Sequence, residues 1–182
     1  PARWTLRGAA AAAFCVGFPF WMRNLRHFVV SGTSFGGAAG QFTARGRSFL
    51  GASASAAVLG LLAGGGIVLV AIACSVVFAR NGPIPRWAIE MATLAGMAVV
   101  YGVVLAVYQA RLGNLVWNNS RLGPLRFRSM LRGREIGWLY LGNTLAILLS
   151  VGLLTPWAVV RTVRYRASRL QPELEGDWDA FV

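Results

Sequence analysis

The stretch SFLGASASAAVLGLLAGGGIVLVAIACSVVFA, from Ser48 to Ala79, decides the fold of this chain. It is uncharged throughout, follows Arg45 and Arg47 closely, and ends at Arg80. An α-helix crosses the roughly 30 Å hydrocarbon core of a bilayer in about 20 residues, so the stretch is long enough for at least one crossing. The sequence therefore predicts an integral membrane protein and leaves open whether Ser48 to Ala79 crosses once or more.

Three further uncharged segments predict additional crossings. Met91 to Ala110 and Ile136 to Val160 are rich in Leu, Val, Ala and Gly. Gly8 to Met22 is shorter and crosses only if Arg7 and Arg23 extend toward opposite headgroup layers. An alternative for this segment is a secretory signal peptide, but no small-x-small cleavage site followed by soluble sequence is present. The predicted fold class is an all-α integral membrane protein with about four transmembrane helices.

The charge of the chain indicates where it meets its partners. Its net charge of +12 comes from 18 basic residues, all arginine, against six acids. The arginines are confined to the connections between apolar segments, where each one near anionic lipid contributes about 1 kcal/mol of membrane attraction. Exclusive use of arginine is also what a GC-rich genome produces. We expect anionic membrane lipids and other membrane protein subunits as partners, and no nucleic acid.

An internal duplication organises the sequence. The loops at 23–49 and 110–136 superpose without a gap when one is shifted by 87 positions, which aligns Arg45-Gly46-Arg47 with Arg132-Gly133-Arg134. We expect a single membrane domain, 1–182. Its predicted parts are repeat one at 8–79, repeat two at 87–160, and a tail at 161–182 that is basic and then acidic. Two spans in each unit would give the repeats parallel orientation.

Each basic loop is predicted to form a short β-hairpin at the membrane surface. Phe28 to Val30 lead into Gly36-Gly37, and Leu115 to Arg121 lead into Leu122-Gly123-Pro124, so turn residues stand at both centres. The alternation in Arg126-Phe127-Arg128 predicts one cationic and one apolar face. With four crossings the hairpin side would hold ten arginines and the other side eight, too even a division to predict orientation.

Several motifs resemble a known family. They are WNNSRLGPLRFRSMLRGRE at 117–135, TPWAVVRTVRYRAS at 155–168 and GDWDAF at 176–181, with a looser match in SFGGAAGQFTARGRSFL at 34–50. These stretches are similar to the YjgN family of bacterial inner-membrane proteins, of which the chain resembles a C-terminal portion or a short member. The resemblance implies a multi-pass helical protein of the bacterial inner (cytoplasmic) membrane with repeated basic hairpins. It implies no reaction, substrate or cofactor.

Residues able to support catalysis are scarce. His27 is the only histidine, so one chain cannot assemble a His-based zinc site or a bis-histidine haem site. Cys15 and Cys74 lie in separate apolar segments, where a thiol behaves as a small hydrophobic group. We therefore predict that the protein is not an enzyme and uses no cofactor or metal.

A few small or polar residues in the spans have two interpretations. Gly60 and Gly64 have the spacing that lets helix backbones approach closely, although the glycine-rich run could also break a helix that lines a substrate path. Glu90 either pairs with Arg86 one helical turn away or forms an intramembrane polar site. Asn143 either bonds across a helix interface or lines a polar path.

The resulting hypothesis is a non-enzymatic inner-membrane protein that acts as an accessory or structural subunit of a membrane complex. It would bind anionic lipid or a partner protein through its arginine hairpins. The alternative is a small transporter or lipid-handling protein with a path between the repeats. The predicted contact residues are Arg45, Arg47, Arg121, Arg126, Arg128, Arg132, Arg134, Arg161 and Arg164.

Overall fold

The computed structural model describes residues 2–35, 37–81 and 85–174. These residues are mostly helical, which confirms the helical class predicted from the sequence. Residues 82–84, between α2 and α3, and the acidic end of the tail, 175–182, lie outside the described residues. The five helices are α1 (Ala2–Ser31), α2 (Gly46–Asn81), α3 (Arg86–Asn118), α4 (Gly133–Leu149) and α5 (Thr155–Ser168).

Two helices are long and apolar enough to cross a membrane. They are Gly46–Phe78 of α2 and Arg86–Asn118 of α3, and only 6% of the most apolar window of each is buried, unlike the core helix of a soluble protein. The stretch from Ser48 to Ala79 is part of one continuous helix. At 1.5 Å per residue α2 is about 54 Å long, more than the roughly 30 Å needed to cross the hydrocarbon core once.

Two glycines of α2, Gly60 and Gly64, face α3. A Cβ atom added at Gly60 would meet Val104 at 3.6 Å, and one at Gly64 would meet Met97 at 3.7 Å, whereas Gly65 and Gly66 have nothing within 4 Å. The two small residues thus lie on the side of α2 that packs against α3, where an added Cβ would be in ordinary van der Waals contact. The run of three glycines does not interrupt the helix.

The loops between helices join into one small antiparallel sheet. The strands are β1 (Ser34–Phe35), β2 (Ala38–Phe42), β3 (Ser120–Leu122), β4 (Leu125–Ser129) and β5 (Leu170–Leu174), and they lie side by side in chain order. Both predicted hairpins therefore form, and Gly37 in the first and Gly123 in the second, which lie between the paired strands, have positive φ. Pairing of β2 with β3 supplies the extra strands that an isolated hairpin lacks.

The strands of the hairpins are shorter than the sequence predicts. Phe28 to Val30 belong to α1, and Leu115 to Asn118 belong to α3, so both helices continue to within a few residues of the sheet. The prediction of extended structure there was wrong because these apolar side chains extend the helical faces instead. Val30, Leu115 and Val116 pack against the core at the sheet end of the molecule.

Matching helix ends in the two halves of the chain lie 87 residues apart. Helix α1 ends at Ser31 and α3 at Asn118, while α2 begins at Gly46 and α4 at Gly133. The hairpin registers agree as well, because Ser34 pairs with Ala39 as Arg121 pairs with Arg126. This correspondence extends from local residue types to backbone geometry.

The predicted continuous span from Ile136 to Val160 is wrong, because the chain turns back within it. Helix α4 ends at Leu149, residues 150–154 form a turn, and α5 begins at Thr155. Val151 and Gly152 adopt positive φ in that turn. Pro156 at the start of α5 suits a helix beginning, where its missing N–H needs no partner. Helix α5 then runs antiparallel to α4 and leads into β5 at the sheet.

Two small cores lie where strands lead into helices. At the first corner, residues 42–49, Phe42, Ala44 and Phe49 are buried together with Leu112 of α3. At the second corner, residues 129–136, the buried Leu131 and Ile136 pack with Ala106 and Ala110 of α3. Ala44 and Phe49 precede Leu131 and Ile136 by 87 residues, so matching positions fill both corners.

Candidate functional site

One face of the sheet holds the arginines of the second hairpin. Arg121 is paired directly with Arg126, and Gln41 of β2 is paired with Arg121. Since side chains alternate along a strand, Arg128 lies on the same face as Arg126. We call this the arginine face; the strand registers place on it Gln41, Arg121, Arg126, Arg128, Gln171 and Glu173.

The opposite face of the sheet packs on the helices. Phe127 of β4 lies edge-on to Trp117 of α3 with 5.4 Å between ring centroids, and Phe42 of β2 belongs to the first-corner core. Ser129 is buried and donates its hydroxyl proton to the Asn114 side chain at 2.8 Å. The arginine face is therefore directed away from the helices, as the alternation in the sequence predicts.

The arginine face has an excess of positive charge. Three arginines share it with a single described acid, Glu173, which lies opposite Arg126 and forms an ion pair with Arg128 at 3.7 Å. Both partners of that ion pair are more than half exposed, so it contributes little to stability. Like charges directly opposite each other in a sheet are unfavourable, as at Arg121 and Arg126. An anion bound at this face would relieve that repulsion.

The four arginines predicted to anchor the hairpin bases lie at helix beginnings and are exposed. Arg45 and Arg47 flank the start of α2, and Arg132 and Arg134 flank the start of α4. Of these, Arg132 forms an ion pair with Glu135 at 3.6 Å. The fixed geometry of the second base comes instead from Asn114, whose amide bonds both the N–H and the C=O of Leu131.

Glu135 connects α4 to α5, a role that the sequence analysis missed. Its Oε2 accepts hydrogen bonds from the Tyr165 hydroxyl at 2.9 Å and from Arg169 at 2.6 Å. The bond from Tyr165 and the positive charges of Arg169 and Arg132 hold the pKa of Glu135 below its ordinary value. Burial, together with the contact to Glu135, raises the pKa of Tyr165. The signal in the sequence was an acid immediately before the last apolar segment.

Asn143 and Arg161 form a second connection between the same two helices. The buried Asn143 donates from Nδ2 to the Ala158 carbonyl at 3.2 Å and to the Thr162 hydroxyl at 3.0 Å, which turns its Oδ1 toward the Arg161 guanidinium at 3.2 Å. Arg161 also lies 5.1 Å from the centre of the Trp157 ring. Of the two interpretations of Asn143, this geometry supports a bond across a helix interface. Arg164 is exposed on the same helix.

A cleft of about 400 Å³ opens between α4 and α5 next to these contacts. It brings together two of the predicted contact residues, Arg134 and Arg161, which stand on different helices. The complete lining comprises Arg134, Glu135, Trp138, Leu139, Arg161 and Tyr165.

Glu90 lies apart from all these residues, in a groove between α2 and α3. The groove has a volume of about 700 Å³ and an apolar lining that includes Val68, Ile72 and Leu94. Glu90 is exposed there, and the ion pairs among the described residues do not include the predicted pair with Arg86.

Comparison with known proteins places the chain in a family. Residues 3–182 match the family described as "Bacterial protein of unknown function (DUF898)", which is the YjgN family that the sequence motifs resemble. Neither a curated protein nor a solved structure matches the chain. Because the match covers nearly the whole sequence, the chain belongs to the DUF898 family of bacterial proteins.

Proposed function

We propose that this protein is a non-enzymatic, multi-pass protein of the bacterial inner membrane that binds anionic lipid headgroups through the arginine face. In this role it would serve as an accessory or structural subunit of a membrane complex, and a partner protein with an acidic surface could share the same face. The observation behind the proposal is a sheet with excess arginine at one end of two long, exposed, apolar helices.

The exposure of the helices supports insertion in a membrane. The side chains exposed along α2 and α3 are largely Leu, Val, Ile and Met. The exposed apolar area of these two helices is far larger than the apolar patches that soluble monomers expose. Lipid tails would solvate it, and α1 would provide a third crossing beside α2, which it contacts near the sheet.

The α4–α5 pair would enter the membrane from the sheet side and return. Its tip is apolar and open, with Leu149 exposed to 86%, Val151 to 92% and Leu153 to 83%. Helix α4 is about 26 Å long, enough to reach most of the way through the hydrocarbon core. In this topology every strand of the sheet lies on one side of the membrane.

The turn between α4 and α5 changes the division of charge. The arginines of α5 join those of the hairpins, so fourteen of the 18 arginines lie on the sheet side and only Arg3, Arg7, Arg80 and Arg86 lie on the other. The positive-inside rule then predicts a cytoplasmic sheet. The even division of ten against eight depended on the four crossings assumed from the sequence.

The matching halves support an internal duplication with parallel repeats. Helix, hairpin and helix recur with the same register after 87 residues, and both hairpins would face the cytoplasm. The duplication would explain why β2 and β3 can pair to join two hairpins into one sheet.

The test reverses charge on the arginine face. Purified protein with Arg126→Glu and Arg128→Glu would be compared with a control pair, Arg80→Glu and Arg86→Glu, which changes the net charge equally at the other end of the molecule. The measurement is the ratio of phosphatidylglycerol to phosphatidylcholine retained after extraction from mixed bilayers. At about 1 kcal/mol for each arginine, the first variant should lose roughly tenfold or more in enrichment, and clearly more than the control, whose two arginines lie outside the arginine face. Equal ratios in all three proteins would contradict lipid binding at this face.

A second candidate, a transporter or lipid-handling protein, is favoured by the groove around Glu90. An acid in an apolar groove suits a proton or cation site. Glu90→Gln should then alter ion uptake or lipid movement in reconstituted vesicles while leaving the lipid ratio above unchanged. Identical transport rates in the wild type and the variant would exclude this candidate.

A further inference from the structure

The cleft between α4 and α5 differs from the arginine face in being lined by two helices. It is separated from the arginines of β3 and β4, which lie on the outer face of the sheet. Its two guanidinium groups come from the first turn of α4, at Arg134, and from the middle of α5, at Arg161. Only the return of the chain at 150–154 brings them together.

Arg161 is held in place by Asn143 and by the space at Gly142. Asn143 is buried, and its two donor contacts on α5 leave its Oδ1 directed at the guanidinium. At Gly142 an added Cβ would come within 3.0 Å of Arg161 Nη1, so the absence of a side chain leaves room for the guanidinium. A buried amide that orients an arginine is a preorganised anion-binding group.

The carboxylate of the cleft is already engaged. Glu135 accepts bonds from Tyr165 and Arg169 and pairs with Arg132, none of which is one of the two cleft arginines. Arg134 has no ion pair among the described residues, and Arg161 has only the neutral Asn143 and the Trp157 ring. Within the part of the chain that the structure describes, the two guanidinium groups of this cleft therefore retain N–H donors and a positive charge that no ion pair compensates.

We infer that this cleft binds the phosphate group of one anionic phospholipid, held between Arg134 and Arg161. The inference rests on the proposed membrane insertion and assigns a specific lipid site distinct from the arginine face. Guanidinium groups match phosphate oxygens in charge and planar geometry. Free phosphate shares that chemistry, but the surroundings favour a lipid. Trp138, which lines the cleft near the sheet end of α4, is exposed at a level suited to the headgroup layer, and the apolar tip of α4–α5 continues below it.

The experiment counts tightly held lipids. Wild-type protein, Arg134→Gln/Arg161→Gln and the control Arg164→Gln would be purified from bilayers of phosphatidylcholine with phosphatidylglycerol and analysed by native mass spectrometry. Arg164 lies on the same helix as Arg161 but does not line the cleft, so its replacement shows the effect of removing one arginine charge outside the cleft. We expect one phosphatidylglycerol to persist on the wild type and the control, and its occupancy to fall roughly tenfold or more in the double variant.

Two further arms make the outcome decisive. Arg126→Glu/Arg128→Glu should keep the tightly held lipid while losing general enrichment, so this site and the arginine face can fail separately. Inorganic phosphate added to the delipidated protein should not raise its melting temperature as phosphatidylglycerol does. Equal lipid occupancy in the double variant and the wild type, or stabilisation by phosphate alone, would overturn the inference.

Discussion

The α2–α3 pair and the α4–α5 pair begin at matching corners of the molecule yet are held together in different ways. Helices α2 and α3 meet through glycines and apolar side chains, such as Gly60 against Val104. Helices α4 and α5 meet through the contacts of Asn143 and Glu135, and they are about half as long. The comparison shows that a common hairpin corner can begin either a long apolar helix or a short helical hairpin stabilised by polar contacts.

The largest expected loss of stability is at the two corners where the helix pairs begin. Phe49 and Ile136 are each 1% exposed and occupy matching positions. Phe49→Ala should destabilise the protein by about 3–5 kcal/mol and Ile136→Ala by about 2–5 kcal/mol, because each leaves a cavity. Unfolding in detergent, followed by circular dichroism, would measure this, with the exposed Leu61→Ala as the control. A small loss of stability at either residue would show that the two corners are not equivalent.

The next effect distinguishes packing by small residues from packing by polar contacts. Gly60→Leu should destabilise the α2–α3 pair by about 1–3 kcal/mol, since the larger side chain would collide with Val104. Gly65→Leu, where nothing lies within 4 Å, should be neutral or stabilising. The same unfolding measurement applies, and equal effects at the two glycines would show that α2 and α3 do not pack as described.

In the α4–α5 pair the corresponding change is Asn143→Ala. It removes the bonds to Ala158, Thr162 and Arg161 and should cost about 1–2 kcal/mol, a typical range for polar contacts between membrane helices. Thr144→Ala, one residue away on an exposed position, is the control. The same unfolding measurement would report the loosening of the hairpin, and unchanged stability would argue against a role for Asn143 in holding α5.

The smallest expected effect is a dependence of stability on pH, which arises from contacts in the α4–α5 pair. The folded protein lowers the pKa of Glu135 from 4.5, so its stabilising contribution is present above that pH and is lost as the pH falls through the lowered value. Tyr165, whose pKa is raised from 10.0, favours folding at lower pH, and this contribution is lost as the pH rises through the raised value.

Glu135→Gln tests that dependence. The difference in stability between the wild type and this variant should be constant near neutral pH and shrink in acid. Glu173→Gln, which removes an exposed ion pair, should change stability by less than about 1 kcal/mol and serves as the control. A difference that grows as the pH falls would contradict the assigned contacts of Glu135.

The sequence predicted the parts of the fold that depend on local composition. Uncharged length identified α2 and α3, and glycine or proline between short apolar runs identified both turns. The motifs also indicated the correct family. These features depend on residues that are close together in the chain, so a single sequence is sufficient to predict them.

The turn between α4 and α5 and the strand β5 were not predicted. Ile136 to Val160 lacks charge, and the break depends on Val151 adopting positive φ, which a β-branched residue rarely does. Pro156 lies inside the segment predicted as one span, although a proline suits a helix beginning. In β5, Pro172 fits an edge strand, and the likeness of SRLQP at 168–172 to SRLGP at 120–124 was the available signal.

The sequence predicted the cationic face of the candidate site but not which residues of α4 and α5 come together. Arginine alternation gave the cationic face, because period-two patterning determines a strand's faces. The joining of Arg134 with Arg161, and of Glu135 with Tyr165, depends on the antiparallel return of α5. Such contacts between distant residues have no local signature.

The most direct test of the topology compares two strands from opposite ends of the chain. In a background with Cys15 and Cys74 replaced by alanine, single cysteines would be introduced as Gln41→Cys in β2, Gln171→Cys in β5 and Trp87→Cys at the start of α3. Spheroplasts would then be treated with a membrane-impermeant maleimide. We expect the cysteine at 87 to be labelled, and those at 41 and 171 to be labelled only after the membrane is opened. Labelling at 171 but not at 41 in sealed spheroplasts would show that α4–α5 crosses the membrane instead of returning to the sheet.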